Sequence, residues 1–192
     1  MSRTLHSWFL RWQVRLLILA NRRAAALDRV QTLLADNPHD VYALATRAHL
    51  LVELGDRAGA AEALRRVVDI QPQHAAGWFN LGFLLEDLGH ADEAEPAFRR
   101  AIELDEKFDR AWYGLALCLI RQRRFDDAIV ALKKNTELQP MSPYGWYQLA
   151  RVHVDRQEPE EAAKIIRHLR KFEPKVAAQL ERETGLGQQA PS

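Results

Sequence analysis

Apolar residues along the chain recur at the spacing of paired amphipathic helices. In the stretch that begins at Ala75, the helically spaced apolar residues are Trp78, Leu81, Leu85 and Leu88. This pattern stops at Gly89, and glycine commonly ends helices because it adopts the left-handed conformation without steric cost. Residues 90–106 then open with acidic side chains, which interact favourably with a helix N-terminus, and continue with apolar residues. The pattern therefore predicts two helices separated by a turn.

This pair of helices is repeated along the chain with a period of 34 residues. Three of the five tryptophans follow that step, at Trp78, Trp112 and Trp146. Four of the eight prolines follow it, at Pro38, Pro72, Pro140 and Pro174, with Glu106 in the remaining slot. Alanines follow it at Ala26, Ala60, Ala94, Ala128 and Ala162. Because so short a pair cannot bury its own apolar face, we expect successive pairs to stack and share a core.

The repeated residues resemble the pattern of the tetratricopeptide repeat family, W-x2-L-G-x2-Y followed by A-x3-F and P. The copy that starts at Ala75 carries Trp78, Leu81, Gly82, Ala94 and Phe98 at these positions. The resemblance implies an all-α fold, a right-handed superhelical solenoid of antiparallel helix pairs.

The resemblance also predicts how the chain is divided. The four clear repeats are residues 41–74, 75–108, 109–142 and 143–176. An N-terminal amphipathic helix and a degenerate repeat occupy residues 1–40, and the end of a capping helix and a disordered tail occupy residues 177–192. Pro96 falls inside a predicted helix, so it either kinks that helix or marks a later start.

The predicted N-terminal helix has an apolar face rich in aromatic residues. Its members are Leu5, Trp8, Phe9, Trp12, Leu16 and Leu19. Arginines recur beside them, and no acidic residue precedes Asp28. A contact surface for a membrane or a partner is one interpretation, and it would include Trp8, Arg11, Trp12 and Arg15. We favour the simpler interpretation, in which the aromatic residues form the core side of the first helix.

In the tetratricopeptide repeat family, the first helices of successive repeats line a concave groove. The resemblance implies that positions 2, 5, 6, 9, 12 and 13 of each first helix face this groove. The candidate groove residues are Tyr42, His49, Phe79, Asn80, Phe83, Arg110, Tyr113, Leu117, Tyr144, Tyr147 and Arg151. Clustered aromatic residues favour binding of a peptide or helix, because aromatic anchors dominate interface energies. In the alternative interpretation, Phe79, Phe83 and Tyr147 pack between repeats.

The charges at these positions refine the expected ligand. Acidic residues occur in the first half of the array and arginines in the second half, which favours a ligand of mixed charge. One subclass of the family binds the carboxylate tails of chaperones through a set of Lys, Asn and basic residues. Only Asn80 and Arg110 match that set here, with Ala45, His49 and Gly114 at its other positions, so this adaptor role is disfavoured.

Composition narrows the remaining classes of function. The 192 residues carry a net charge of +1, 47% of them are apolar and one is cysteine, which excludes a largely disordered chain and an internal disulfide. Near-neutral charge disfavours nucleic-acid binding, because a phosphate-binding surface is strongly basic. The seven histidines lack metal-binding spacing and no phosphate-binding loop is present. We therefore predict no enzyme activity, no metal and no cofactor.

The sequence thus predicts a non-enzymatic scaffold or adaptor that binds a peptide or helix of a partner protein in the cytoplasm. The uncharged apolar run 16–20 is too short to span a membrane, and no signal-peptide layout is present. The alternative prediction is a peripheral membrane or complex-assembly factor that is attached through its N-terminal helix. The oligomeric state is left open.

Overall fold

The computed structural model describes residues 3–186, which form eleven helices and no strand. The helices are α1 Arg3–Leu19, α2 Arg23–Asp36, α3 Val41–Glu53, α4 Arg57–Ile70, α5 Ala75–Asp87, α6 Ala91–Leu104, α7 Asp109–Arg121, α8 Phe125–Leu138, α9 Pro143–Asp155, α10 Pro159–Leu169 and α11 Pro174–Thr184. The predicted all-α fold is confirmed. Residues 187–192 of the predicted tail lie outside the described part of the chain.

Two compact units divide the chain between Ala97 and Phe98, inside α6. In the first unit, consecutive helices from α1 to α5 pack on one another. In the second unit, the same holds from α7 to α11, and α11 also packs on α9. Pro96 lies inside α6, which begins five residues earlier at Ala91, so the expectation of a later helix start is wrong.

The N-terminal core of the first unit is formed by apolar residues of α1, α2 and α3. Its buried members are Leu10, Val14, Ala26, Val30, Leu33, Ala43 and Leu50. Trp8 and Trp12 of α1 are 65% and 48% exposed instead. The interpretation that we favoured, with the aromatic residues of α1 on the core side, is therefore wrong. α1 has two apolar faces, and the one with Leu10 and Val14 is buried.

The turn between the two helices of each pair contains one residue in the left-handed conformation. These residues are Asn21, Gly55, Gly89, Arg123 and Gln157, with φ from 58° to 88°. After Gly89, the His90 N–H donates to the carbonyl of Leu85, which satisfies a carbonyl at the end of α5. Gly185 ends α11 in the same conformation, with φ of 72°.

Three tryptophans tie the start of a first helix to the turn before it. The indole N–H groups of Trp78, Trp112 and Trp146 each donate to a main-chain carbonyl at 2.9 Å. The acceptors are Pro72, Glu106 and Pro140, respectively. Because the acceptor is the main-chain carbonyl, Glu106 serves as well as the prolines do at that position.

Candidate protein-binding surface

In the first unit, α5 presents two aromatic rings one helical turn apart. The ring centroids of Phe79 and Phe83 lie 6.2 Å apart and the ring planes are tilted by 32°. Phe79 is half-buried, whereas Phe83 is 60% exposed. Leu81 and Leu85 on the other side of α5 are buried and hold the helix in place. Phe83 is therefore an exposed aromatic side chain on a firmly packed helix, and Asn80 beside it is also exposed.

Tyr42 and Arg11 serve the internal structure of the first unit. Tyr42 packs against the N-terminal core, and the Arg11 guanidinium lies 4.9 Å from the centre of its ring. Arg11 also forms an ion pair with Asp40 at 2.8 Å. Asp40 accepts a hydrogen bond from the Ala43 N–H, so it caps the N-terminus of α3. Arg11 belongs to the predicted N-terminal contact surface, but its charge is paired with Asp40 at the start of α3.

Two acidic residues at the ends of α3 and α5, in the first unit, are paired with arginines. Arg23 at the start of α2 donates to Glu53 at the end of α3, at 2.6 Å. The same contact recurs one repeat later between Arg57 and Asp87. Hydrogen bonding from Arg23 lowers the pKa of Glu53. Both pairs are exposed, so solvent screens the attraction between their charges.

His49 of α3 and Arg110 of α7 are exposed on first helices. The His49 Nε2 atom lies 3.8 Å from the Glu53 Oε2 atom on the same helix. In the second unit, the Arg110 guanidinium stacks 5.3 Å from the centre of the Phe108 ring. Tyr113 and Leu117, which follow Arg110 along α7, are half-buried.

Gly114 is one of the positions at which the carboxylate-binding set is incomplete. That set requires a basic side chain at this position, yet Gly114 is buried. A Cβ atom added to it would lie 2.5 Å from two ring atoms of Phe98, well inside van der Waals contact. The Phe98 ring thus occupies the space that a basic side chain would need.

In the second unit, Tyr147 and Arg151 of α9 contact the C-terminal helix. The Tyr147 hydroxyl donates to Glu183 of α11 at 2.7 Å, and Arg151 donates to the same carboxylate at 3.1 Å. The hydrogen bond from Tyr147 lowers the pKa of Glu183. The bond to Glu183 in turn raises the pKa of Tyr147, because it stabilises the protonated phenol. Tyr144, at 70% exposure, is the more accessible aromatic residue of α9.

Three residues of the predicted N-terminal contact surface are exposed on α1. They are Trp8, Trp12 and Arg15. Sequence reasoning missed the links between Arg23 and Glu53 and between Tyr147 and Glu183. A signal for the first existed, since arginine recurs at 23 and 57 while an acidic residue recurs at 53 and 87.

Within residues 3–186, no group of three or more His, Cys, Asp or Glu side chains is arranged to hold a metal ion. No helix in that range is long and apolar enough to cross a membrane. Cys118 is a buried residue of α7.

The described helices define a repeat protein, an all-α array of antiparallel helix pairs that recur with a fixed period. Its sequence matches the tetratricopeptide repeat family over residues 13–75, 45–107 and 84–134, more than half of the chain. The protein belongs to the tetratricopeptide repeat family. Membership supports a general role in binding other proteins, and nothing in the described residues points to catalysis.

Solved structures of similar fold share little sequence with the chain. MamA 41-end from Desulfovibrio magneticus RS-1 superimposes with a TM-score of 0.79 at 20% identity, covering 96% of this chain and 97% of its own. YrrB, described as a TPR protein with an unusual peptide-binding site, has a TM-score of 0.78 at 19% identity and 88% coverage of both chains. PilW, a type IV pilus biogenesis factor, has a TM-score of 0.73 at 20% identity, covering 98% of this chain and 89% of its own. No curated protein sequence matches.

Proposed function

We propose that the protein is a non-enzymatic scaffold that binds a peptide or helix of a partner protein on the groove side of its first helices, in the cytoplasm. The observation that carries this proposal is the Phe79 and Phe83 pair, with Phe83 60% exposed on a helix whose other face is buried. A rigid, exposed aromatic ring provides contact area at low entropic cost. YrrB, which shares the fold, is described as having a peptide-binding site.

The second unit contributes a separate set of candidate contacts. Tyr144 is exposed at the start of α9, and Arg110 is exposed at the start of α7. Tyr147 and Arg151 would contact a ligand only after exchanging their bonds to Glu183. We therefore assign the main anchoring role in the first unit to Phe83. In the second unit, we assign it to Tyr144, with a secondary role for Tyr147 and Arg151.

A photo-crosslinking experiment tests the groove proposal. A photoreactive phenylalanine analogue replaces Phe83 in one variant and Val130 in a control variant. Val130 is a suitable control because it is 66% exposed, close to the exposure of Phe83, but lies on a second helix, α8. We expect a specific crosslinked protein from the position 83 variant alone, identified by mass spectrometry.

The identified partner is then titrated against purified protein. Phe83→Ala should weaken binding about fivefold or more, because truncating an aromatic anchor commonly costs over 1 kcal/mol. Val130→Ala should leave the affinity unchanged. Equal crosslinking from both positions, or equal affinity of the folded Phe83→Ala variant, would refute the groove assignment.

A further inference from the structure

α1 carries a continuous apolar surface on the side that faces away from the N-terminal core. This surface, the α1 stripe, consists of the exposed residues Leu5, Trp8, Phe9, Trp12, Leu16 and Leu19. The rings of Phe9 and Trp12 are stacked, with centroids 6.2 Å apart. At 1.5 Å per residue, the stripe extends for about 21 Å from Leu5 to Leu19. So large an exposed apolar surface is typical of an interaction site.

Comparison with the later repeats shows that part of this side of a first helix is normally covered. One repeat position is Phe9 in α1, and its four later equivalents are Ala43, Gly77, Ala111 and Gly145, all buried. A second position is Leu16 in α1, and its later equivalents are Leu50, Leu84, Cys118 and Val152, also buried. No described residue covers Phe9 or Leu16 to the same extent, since they are 42% and 44% exposed.

The second helix of the preceding repeat covers this side in the later repeats. A Cβ atom added to Gly77 would lie 3.5 Å from Val68 of α4, and one added to Gly145 would overlap Asn135 of α8. Small residues at this position therefore allow the two helices to approach closely. Phe9 places a ring where that helix would lie. The stripe therefore cannot pack closely against another helix in repeat geometry, including a helix from a second copy of the protein.

The charge of the segment around the stripe complements an anionic surface. The first 27 residues contain five arginines and no acidic residue, whereas the other 165 contain 22 basic and 26 acidic residues. Of the four described arginine side chains, Arg11 pairs with Asp40 and Arg23 pairs with Glu53. Arg15 and Arg22 are exposed. Arg15 lies one helical turn from both Trp12 and Leu19, so its charge borders the stripe.

We infer that the α1 stripe docks the protein on an anionic membrane surface. α1 lies parallel to the membrane, because its opposite side is held in the N-terminal core through Leu10 and Val14. Trp8, Phe9 and Trp12 enter the headgroup region, where aromatic residues are favoured, and Arg15 and Arg22 contact lipid phosphates. This docking uses none of the groove residues, so its test is independent of the test of the proposed function.

Vesicle binding of the full-length protein tests this inference. Vesicles of equal parts phosphatidylcholine and phosphatidylglycerol are compared with vesicles of phosphatidylcholine alone. We expect sedimentation with the anionic vesicles, weakened by salt, and at least tenfold weaker partitioning of the Trp8→Ser plus Trp12→Ser variant. Arg15→Gln should weaken binding to the anionic vesicles by roughly fivefold. Point variants are used because removal of α1 would also remove Leu10 and Val14 from the core.

The matched control is Val130→Ser plus Met141→Ser, which removes two apolar residues of similar exposure outside α1. This variant should sediment like the wild type. Brominated lipids should quench the tryptophan fluorescence of the wild type. In the Trp8→Ser plus Trp12→Ser variant, most of this quenching should be absent. Absence of sedimentation with anionic vesicles, or equal sedimentation of the folded tryptophan variant, would overturn the inference. A dimer in solution that the same variant dissociates, without vesicle binding, would assign the stripe to a second copy instead.

Discussion

Arg66 of α4 donates a hydrogen bond to the main-chain carbonyl of Pro38, at 2.5 Å. In the three later repeats the equivalent carbonyl accepts from a tryptophan, but the repeat that begins at Val41 has Leu44 at the tryptophan position. The arginine supplies the donor that the leucine lacks. The turn carbonyl before a first helix is thus bonded to a side chain in all four cases, with two different kinds of donor.

Loss of the indole donor should destabilise a repeat by a modest amount. Trp146→Phe keeps an aromatic ring but leaves the Pro140 carbonyl without its 2.9 Å partner. We expect a loss of about 1 kcal/mol in the free energy of unfolding, since a net hydrogen bond contributes about that much. Urea denaturation measures it. Trp8→Phe is the control and should change stability by less than about 0.5 kcal/mol, because Trp8 is largely exposed.

Glu106 occupies the slot that proline fills in four other copies. Since Trp112 uses only the carbonyl of this residue, Glu106→Pro should retain the bond while restricting the unfolded chain. We expect a gain of about 0.5 kcal/mol in the free energy of unfolding. Glu106→Ala, which keeps the carbonyl but adds no restriction, is the control. A loss of stability in the proline variant alone would show that the Glu106 turn differs from its counterparts.

The left-handed turn residues should respond to substitution in opposite directions. Arg123 has φ of 58° without being glycine, so Arg123→Gly relieves backbone strain and should stabilise the protein by about 0.5 kcal/mol. Gly89 has φ of 81°, so Gly89→Ala should cost about 1 kcal/mol. Thermal unfolding of both variants checks the signs. If both substitutions stabilise the protein, or both destabilise it, the left-handed backbone conformation does not determine the stability of these turns.

The Gly114 position should reject a side chain although it lies in a helix. An exposed Gly→Ala change inside a helix usually stabilises, yet a Cβ atom here meets the Phe98 ring. We expect Gly114→Ala to cost about 1–3 kcal/mol, the usual range for overpacking. Asn80→Ala is the matched control, because Asn80 has the same repeat position but is exposed, and it should be near neutral. Equal stability of the two variants would show that the Phe98 ring moves aside.

The fold was more predictable than the surfaces, for reasons that particular residues make plain. The period of 34 residues was enough to predict the all-α fold and the family, because repeated stacking imposes one pattern on every copy. α1 was misjudged because both of its faces are apolar, and hydrophobic spacing does not distinguish Leu10 and Val14 from Trp8 and Trp12. Alignment of the repeats distinguishes the two faces, because Phe9 occupies a position at which the later repeats have alanine or glycine.

The contact between Tyr147 and Glu183 was not predictable from the period. Tyr147 belongs to a repeat, but Glu183 belongs to α11, at a position where the repeats carry Leu115 and Leu149. Pairing between them depends on how α11 packs on α9, and that is a tertiary property.

This same contact should make the attachment of α11 dependent on pH. The folded-state pKa of Glu183 lies below its ordinary value of 4.5, chiefly because Tyr147 donates a hydrogen bond to it. Ionised Glu183 therefore stabilises the folded state above that value, and the contribution is lost as the pH falls through the folded-state pKa. Glu183→Gln should lower the urea midpoint at pH 7, and the difference from wild type should shrink as the pH is lowered below 4.5. Tyr147→Phe should be partly redundant with Glu183→Gln, because both remove the same bond. Fully additive effects at pH 7, or a constant difference across the pH range, would show that this bond does not hold α11 in place.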